Sequence, residues 1–315
     1  MSNSKLGVFP ASGGLGGSIT KHLLTLTPPS DLVLISRHPE KLVSEKSAGA
    51  TTRKADYDDA PTLDHAFDGI KTLFLISYPS IDNDLRTKVH KLAIDNAIKS
   101  GVKHIFYSSL AFAGDLEKET VAHVMKDHII TESYLETVAS KNPDFSYTIV
   151  REGLYSESFP IYTSFFDPKN PVDEIKIPHN GSGPGVAWAK RDELGEASAK
   201  LFTQYAKDPA SFPYTNKTLL LSGPKLLTIG EVVETLSRII NKPLRISQIS
   251  VDEYAALPQV AERHVYAGVN LAKEWATAWE AIRRGECAVT SPLLGEILGR
   301  EPEDYETTVR DLILA

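Results

Sequence analysis

Leu6-Gly7-Val8-Phe9-Pro10-Ala11-Ser12-Gly13-Gly14-Leu15-Gly16-Gly17-Ser18 is the stretch that decides the fold. An apolar run feeds a turn poor in side chains, after which Ile19, His22, Leu23, Leu24 and Leu26 recur at helical spacing. The segment therefore reads as strand, tight turn and helix. Such a turn binds phosphate. Gly13 and Gly16 let a pyrophosphate approach the backbone, and the free N–H groups opening the helix supply donors at the positive end of a dipole. Glycine turns also join strands to helices for structural reasons alone, so the reading needs support from further along the chain.

The second apolar run, Leu32-Val33-Leu34-Ile35, ends in Ser36-Arg37-His38, where a dinucleotide fold places its ribose-reading residue. An acid there would favour the 2′-hydroxyl of NAD. A guanidinium beside a hydroxyl suits a 2′-phosphate through charge-assisted hydrogen bonds, so NADP(H) is the expected cofactor. Arg37 also fits an ordinary solvated position after a strand.

With 315 residues, 42% hydrophobic and 24% charged, the chain has the composition of a globular protein with a full core. A net charge of -7 and no long Lys/Arg run speak against nucleic acid as a partner. No apolar stretch reaches membrane-spanning length, and Met1-Ser2-Asn3-Ser4-Lys5 leads directly into the first strand, so no membrane and a cytoplasmic location are expected. Cys287, the one cysteine, allows no internal disulfide and no cysteine cluster, and no metal is expected.

Short apolar runs alternate with helical patterns through the first half, the signature of a parallel sheet covered on both faces. Strands are expected at residues 51–55, 72–77, 102–109 and 145–151, with helices around Leu63-Ala66-Phe67, over 83–100 and over 117–140. Ser77-Tyr78 and Ser108-Ser109 end two of those strands, where open α/β sheets bind ligands. Glu157 to Trp188 is rich in proline and glycine without a sustained period and reads as an irregular pocket wall. Asp192 is a candidate N-cap, 217–223 a late strand, Thr228 the cap of a second helix, and 244–247 a further strand. The remainder looks like a small helical cap. The expected architecture is α/β: a Rossmann-type doubly wound parallel sheet over residues 1–155 and a smaller C-terminal α/β substrate lobe over 156–315, with 191–225 packing back on the sheet.

In order and spacing, several motifs resemble the NmrA-like branch of the atypical short-chain dehydrogenases/reductases, and within it the triphenylmethane reductase-like and quinone oxidoreductase-like enzymes. They are the glycine turn, Gly49-Ala50 through Asp56-Tyr57, Gly101-Val102-Lys103-His104-Ile105, Ala122-His123-Val124, and Tyr147-Thr148 with Arg151. Leu154-Tyr155, Gly181-Ser182-Gly183, Arg191-Asp192-Glu193-Leu194 and Gly285-Glu286 continue the likeness. The resemblance implies an NADP(H)-binding domain whose cleft with the C-terminal lobe takes the substrate. It places Pro10, Ser12, Gly13, Gly14, Leu15 and Gly16 on the pyrophosphate, and Ser36 and Arg37 on the 2′-phosphate. Asp56 and Tyr57 would border the adenine, Ser77, Tyr78 and Ser108 the nicotinamide ribose, and Glu152 and Tyr155 would face the pocket. Family members commonly begin the turn with glycine, whereas Pro10 fixes φ and removes an N–H.

The Tyr-x-x-x-Lys pair of the wider superfamily is absent: no tyrosine here has lysine four residues later. His128 lies where related reductases keep that lysine, with Lys126 as a rival, and imidazole can hydrogen-bond a ribose or exchange a proton. A surface histidine paired with Glu132 is the alternative. Glu152 at the mouth of an apolar pocket would have a raised pKa and could donate a proton, as could Tyr155. Catalytic candidates are therefore Glu152, His128 and Tyr155. Tyr155, Phe159, Tyr162, Phe165, Phe166 and Trp188 suggest a flat hydrophobic ligand, or simply core.

The leading expectation is an NADPH-dependent reductase of a conjugated aromatic, quinoid or imine-bearing small molecule, such as a natural-product tailoring enzyme, monomeric or homodimeric. The alternatives are an acid/base rearrangement of a natural-product scaffold using Glu152 and His128, and a non-catalytic NmrA-type dinucleotide sensor.

Overall fold

The computed structural model describes residues 5–266 and 268–315; Met1–Ser4, read above as leading into the first strand, lie outside the described residues. The first half runs β1 (Lys5–Phe9), α1 (Gly14–Leu26), β2 (Leu32–Ser36), α2 (Val43–Ser47), β3 (Thr51–Lys54), β4 (Ile70–Ile76), α3 (Asn83–Lys99), β5 (His104–Leu110), α4 (His123–Lys141) and β6 (Ser146–Glu152). It continues through β7 (Glu174–Ile177), β8 (Val186–Ala187), α5 (Arg191–Lys207), β9 (Lys217–Leu221), β10 (Leu226–Leu227), α6 (Ile229–Ile240) and β11 (Arg245–Gln248). The tail comprises α7 (Val251–Ala256), α8 (Pro258–Ala261), β12 (Val265–Tyr266), β13 (Val269–Asn270), α9 (Ala272–Arg283), α10 (Leu293–Leu298) and α11 (Tyr305–Leu314).

The central strands are buried along nearly their whole length, as strands covered on both faces are, with polar residues gathered at the ends of β5 and β6. Seven of them form a parallel sheet in the order β3-β2-β1-β4-β5-β6-β9. The chain steps outward from β1 to β3 and then crosses back to β4, so a crevice opens beyond the carboxyl ends of β1 and β4. One face packs Leu15, Ile19, Phe74, Phe106, Leu194 and Phe202 under α1 and α5; the other packs Ile35, Phe67, Leu75, Ile94, Tyr107 and Leu135 under α3 and α4.

Four local expectations change. Around Leu63, Ala66 and Phe67 there is a 3-10 turn (Ala60–Leu63) and no longer helix, because His65 at φ 63 cannot continue one, although all three apolar residues are buried. The helix expected from 117 begins only at His123, since the Glu286 carboxylate takes the Thr120 hydroxyl and the Val121 N–H and holds the preceding loop. Asp192 is not the cap of α5, which is Lys190; it lies inside the first turn and reaches across to α1. Within 157–188, a 3-10 helix (Ser156–Thr163), β7 and β8 interrupt the irregular wall, β7 pairing with β11 and β8 with β10. Thr228 caps α6 through a full capping box.

A third core joins Ile81, Phe112 and Met125 from the first half to the C-terminal part of the chain. Phe159, Tyr162, Phe166 and Trp188 belong to it, with the Tyr162 ring edge-on to Trp188 at 5.1 Å and close to Trp275 and Trp279. Four of the six candidate pocket aromatics are thus core, and Tyr155 and Phe165 stay half-buried.

Candidate functional site

The glycine turn lies at the carboxyl end of β1, with a cis Phe9–Pro10 peptide. Ala11 N–H continues the β1–β2 ladder to the Ile35 carbonyl at 2.7 Å, so the missing N–H of Pro10 leaves that contact intact. Gly13 adopts φ 90 ahead of α1, and the first helical bond runs from Gly17 N–H to the Gly13 carbonyl at 2.9 Å. The N–H groups before it are those a helix leaves without internal partners. A Cβ at Gly16 would fall on the Pro10 carbonyl oxygen, whereas at Gly13 and Gly17 it would meet nothing within 4 Å. Gly16 is therefore required by the fold, and the space over Gly13 stays open for a ligand. An open turn lined with free donors at a helix start fits a pyrophosphate.

At the end of β2 the buried Ser36 hydroxyl lies 2.7 Å from Ser12 Oγ and accepts from His38 N–H at 3.1 Å. Arg37 is exposed, and its guanidinium has no hydrogen bond or ion pair among the described residues. Across the crevice Tyr57 is buried, its hydroxyl donating to the Ile76 carbonyl at 2.8 Å, and Asp56 sits at the neighbouring turn. Tyr78 donates to Asp58 Oδ1 at 2.6 Å; burial first, and this acid second, push its phenol up to about 12.

Ser77 N–H points toward the buried Ser108 Oγ at 3.5 Å, and behind them lies a connected polar cluster. Tyr78 N–H donates to His90 Nε2 at 2.8 Å, which leaves the proton on Nδ1, 3.1 Å from Thr131 Oγ1. Arg86 donates to His128 Nε2 at 2.6 Å, so His128 Nδ1–H faces the Tyr107 hydroxyl at 3.0 Å. Burial, reinforced by Arg86, holds the His128 pKa well below its ordinary value. His128 is accordingly not a surface residue, and Glu132 is not its partner. Glu132 instead makes a two-pronged pair with Arg151, at 2.9 and 2.7 Å, and accepts from Ser109. Lys126 is exposed, unlike the buried His128.

Glu152 ends β6 only 1% exposed. Tyr155 donates to its Oε2 at 2.8 Å and Oε1 has no hydrogen-bond partner among the described residues, and burial drives the carboxyl up to about 8. The same burial, with Glu152 alongside, raises the Tyr155 phenol. The Arg191 guanidinium lies 6.0 Å from the Tyr155 ring centre and against Gly14 of the turn, which places the acid pair beside the glycine loop.

The structure thus gathers Pro10 to Gly16, Ser36 and Arg37 at one end of the crevice, and Ser77, Tyr78, Ser108, His128, Glu152 and Tyr155 along the ends of β4 to β6. Sequence reasoning missed Arg86, Tyr107, Arg151 and Arg191 as parts of this arrangement. A signal for the first existed: Arg86, His90 and Ala93 share the buried face of α3, where an arginine needs a partner. Among the described residues no group of three or more His, Cys, Asp or Glu converges to hold a metal, and no helix is long and apolar enough to cross a membrane.

A doubly wound parallel sheet with a glycine turn at its switch point defines a Rossmann-type dinucleotide-binding protein. The NmrA-like family profile matches residues 2–283, and the chain belongs to that family. Within it the chain is an oxidoreductase. It is 29% identical over 308 residues to an NmrA-like family domain-containing oxidoreductase of Aspergillus flavus, covering 96% of this chain and 93% of the relative. Among solved structures, the Citrobacter sp. triphenylmethane reductase complexed with NADP(H) superposes with a TM-score of 0.73 at 27% identity, over 98% of this chain and 99% of that one. The Escherichia coli NADPH-dependent quinone oxidoreductase complexed with NADPH gives 0.78 at 25% identity, with the same coverage.

Proposed function

We propose that the chain is an NADPH-dependent reductase of conjugated aromatic, quinoid or imine-bearing hydrophobic small molecules. The observation that carries this reading is the buried Glu152 hydrogen-bonded to the half-buried Tyr155 beside the glycine turn, where burial pushes the carboxyl up to about 8. The pyrophosphate belongs on Ser12 and the N–H groups of Gly13, Gly14, Leu15 and Gly16, and the 2′-phosphate on Ser36 and Arg37. Ser77, Tyr78 and Ser108 border the nicotinamide ribose. When bound, NADPH supplies the hydride. Glu152 and Tyr155 hold the proton that a reduced oxygen or nitrogen needs. A conjugated acceptor takes hydride at carbon with little acid assistance, in keeping with the missing Tyr-Lys pair. The two structural relatives, named for a triphenylmethane dye and for quinones, act on acceptors of this type.

A rearrangement without net redox draws less support, because Arg86 and Tyr107 occupy both His128 nitrogens. The test is titration with NADPH, NADP+, NADH and NAD+, repeated with Arg37→Ala, followed by NADPH oxidation assays on quinones, imines and triarylmethane dyes. Arg37→Ala should weaken NADP+ about 10–100-fold, as loss of charge-assisted bonds does, and leave NAD+ unchanged. Equal affinity for NAD+ and NADP+ in the parent, insensitive to Arg37→Ala, would remove the 2′-phosphate assignment. No acceptor oxidising NADPH would remove the reductase reading.

A further inference from the structure

α5 arrives from the lobe and runs beside α1 in the same direction, start against start. Arg191 meets Gly14, and four residues on Gly195 meets Ser18 so closely that a Cβ at Gly195 would collide with the Ser18 hydroxyl. Asp192 fixes this register by accepting from Ser18 Oγ and Lys21 Nζ, both at 2.8 Å. Two helix N-termini, each carrying a positive partial charge, therefore end at one place. The Arg191 guanidinium joins them: a Cβ at Gly14 would lie 3.1 Å from its Nη1. Among the described residues no carboxylate or carbonyl accepts from that guanidinium. Both Glu157 carboxylate oxygens accept from the Arg191 backbone N–H, at 3.2 and 3.1 Å. The α5 start thus already carries an acid, whereas the open start of α1, with the Arg191 guanidinium half withdrawn from water against Gly14, calls for an anion.

We infer that Arg191 is a cofactor-binding residue whose guanidinium closes on the pyrophosphate held by the glycine turn. The diphosphate is then gripped by the start of α1 and by a side chain, from the start of α5, that lies far beyond the turn in sequence. This rests on the NADP(H) reading above and adds a contact that serves NAD and NADP alike, since both carry the same pyrophosphate. On its other side the guanidinium faces the ring of Tyr155, whose hydroxyl donates to Glu152. One side chain thus links the pyrophosphate to the acid pair.

Calorimetric titration of the full-length protein separates this contact from that of Arg37. The variants are Arg191→Ala, Arg191→Met, which keeps the packing on Gly14 without the charge, and Arg37→Ala. The ligands are NADP+, NAD+ and adenosine 2′-monophosphate, which lacks a pyrophosphate. Both Arg191 variants should weaken NADP+ and NAD+ by one common factor of about 10–100 and leave adenosine 2′-monophosphate within twofold. Arg37→Ala should weaken NADP+ and adenosine 2′-monophosphate and spare NAD+. The inference is overturned if Arg191→Met binds both dinucleotides within twofold of the parent, or loses adenosine 2′-monophosphate in equal measure. A parent that binds neither dinucleotide would instead bring down the cofactor reading, and this inference with it.

Discussion

At Glu152, which is 1% exposed, one carboxyl oxygen takes the Tyr155 hydroxyl and the other meets no donor among the described residues. Its pKa, about 8, stands above the ordinary 4.5, so the folded protein keeps a proton that the unfolded chain releases. Its contribution to stability is therefore full below about 4.5 and is lost as pH rises through about 8. With an acceptor that needs a proton, kcat/KM should fall as pH rises through about 8, and Glu152→Gln should lower it about 10²-fold and flatten that limb. A Glu152→Gln profile identical to the parent's would rule out the acid role. The Arg151–Glu132 pair gives a second prediction. Glu132→Gln leaves Arg151 buried against a neutral group and should cost about 3–5 kcal/mol in urea unfolding, while Glu132→Leu with Arg151→Met together should cost less. That Glu152 and Tyr155 lie at the carboxyl end of β6 was legible in the sequence, because the apolar run of that strand stops just before them. The partner of Glu132 was not: Arg151 comes from a neighbouring strand, and a pairing chosen by the sheet leaves no trace in helical spacing.

At the level of elements, the turn and the α1–α5 pair set the geometry of the cleft. Gly16→Ala puts a methyl on the Pro10 carbonyl and should displace the turn, lowering the melting temperature and weakening dinucleotide binding more than tenfold. Gly17→Ala, one residue on, meets nothing within 4 Å inside α1 and should be neutral or stabilising by up to about 1 kcal/mol, with unchanged binding. Equal effects of the two substitutions in melting and titration would contradict the assigned roles of the turn. The strand-turn-helix unit, the parallel strands and α3 could be read from periodicity, because buried parallel strands and amphipathic helices write their environment into local pattern. The segments at 60–67 and 117–122 could not. There apolar residues are buried by loops tied down through His65 and through the distant Glu286, and such ties carry no periodic signature.

Across the whole molecule, buried histidines set the response to acid. Burial lowers the pKa of His90 and His128 well below the ordinary value, that of His104 to about 3 and that of His179 to about 4. Unfolding lets each take up a proton below about 6.5, so stability should fall as pH drops from there, by about 1.4 kcal/mol per pH unit for each proton gained. Glu152, and Asp127 whose carboxyl burial raises to about 7, gain stability over the same range and offset part of this loss. The urea midpoint should therefore decline from pH 7 to pH 5 less steeply than the histidines alone would make it, and a midpoint that rises toward pH 5 would count against histidines held neutral in the fold. The lobe's aromatic cluster was visible in the sequence, yet whether it lined a pocket or filled a core depended on Trp275 and Trp279, which arrive from α9. The order of the sheet carries one more consequence. β9 pairs with β6 from Thr148↔Lys217 to Glu152↔Leu221, so the edge left by β6 is covered by a strand that follows the inserted lobe segment. A nascent chain that has emerged from the ribosome only as far as residue 155 exposes an apolar, unpaired edge, a template for pairing with other chains. Synthesis must deliver residues 217–221 before the nucleotide-binding sheet can close, so a release or stall between those points should yield aggregates and no functional fragment.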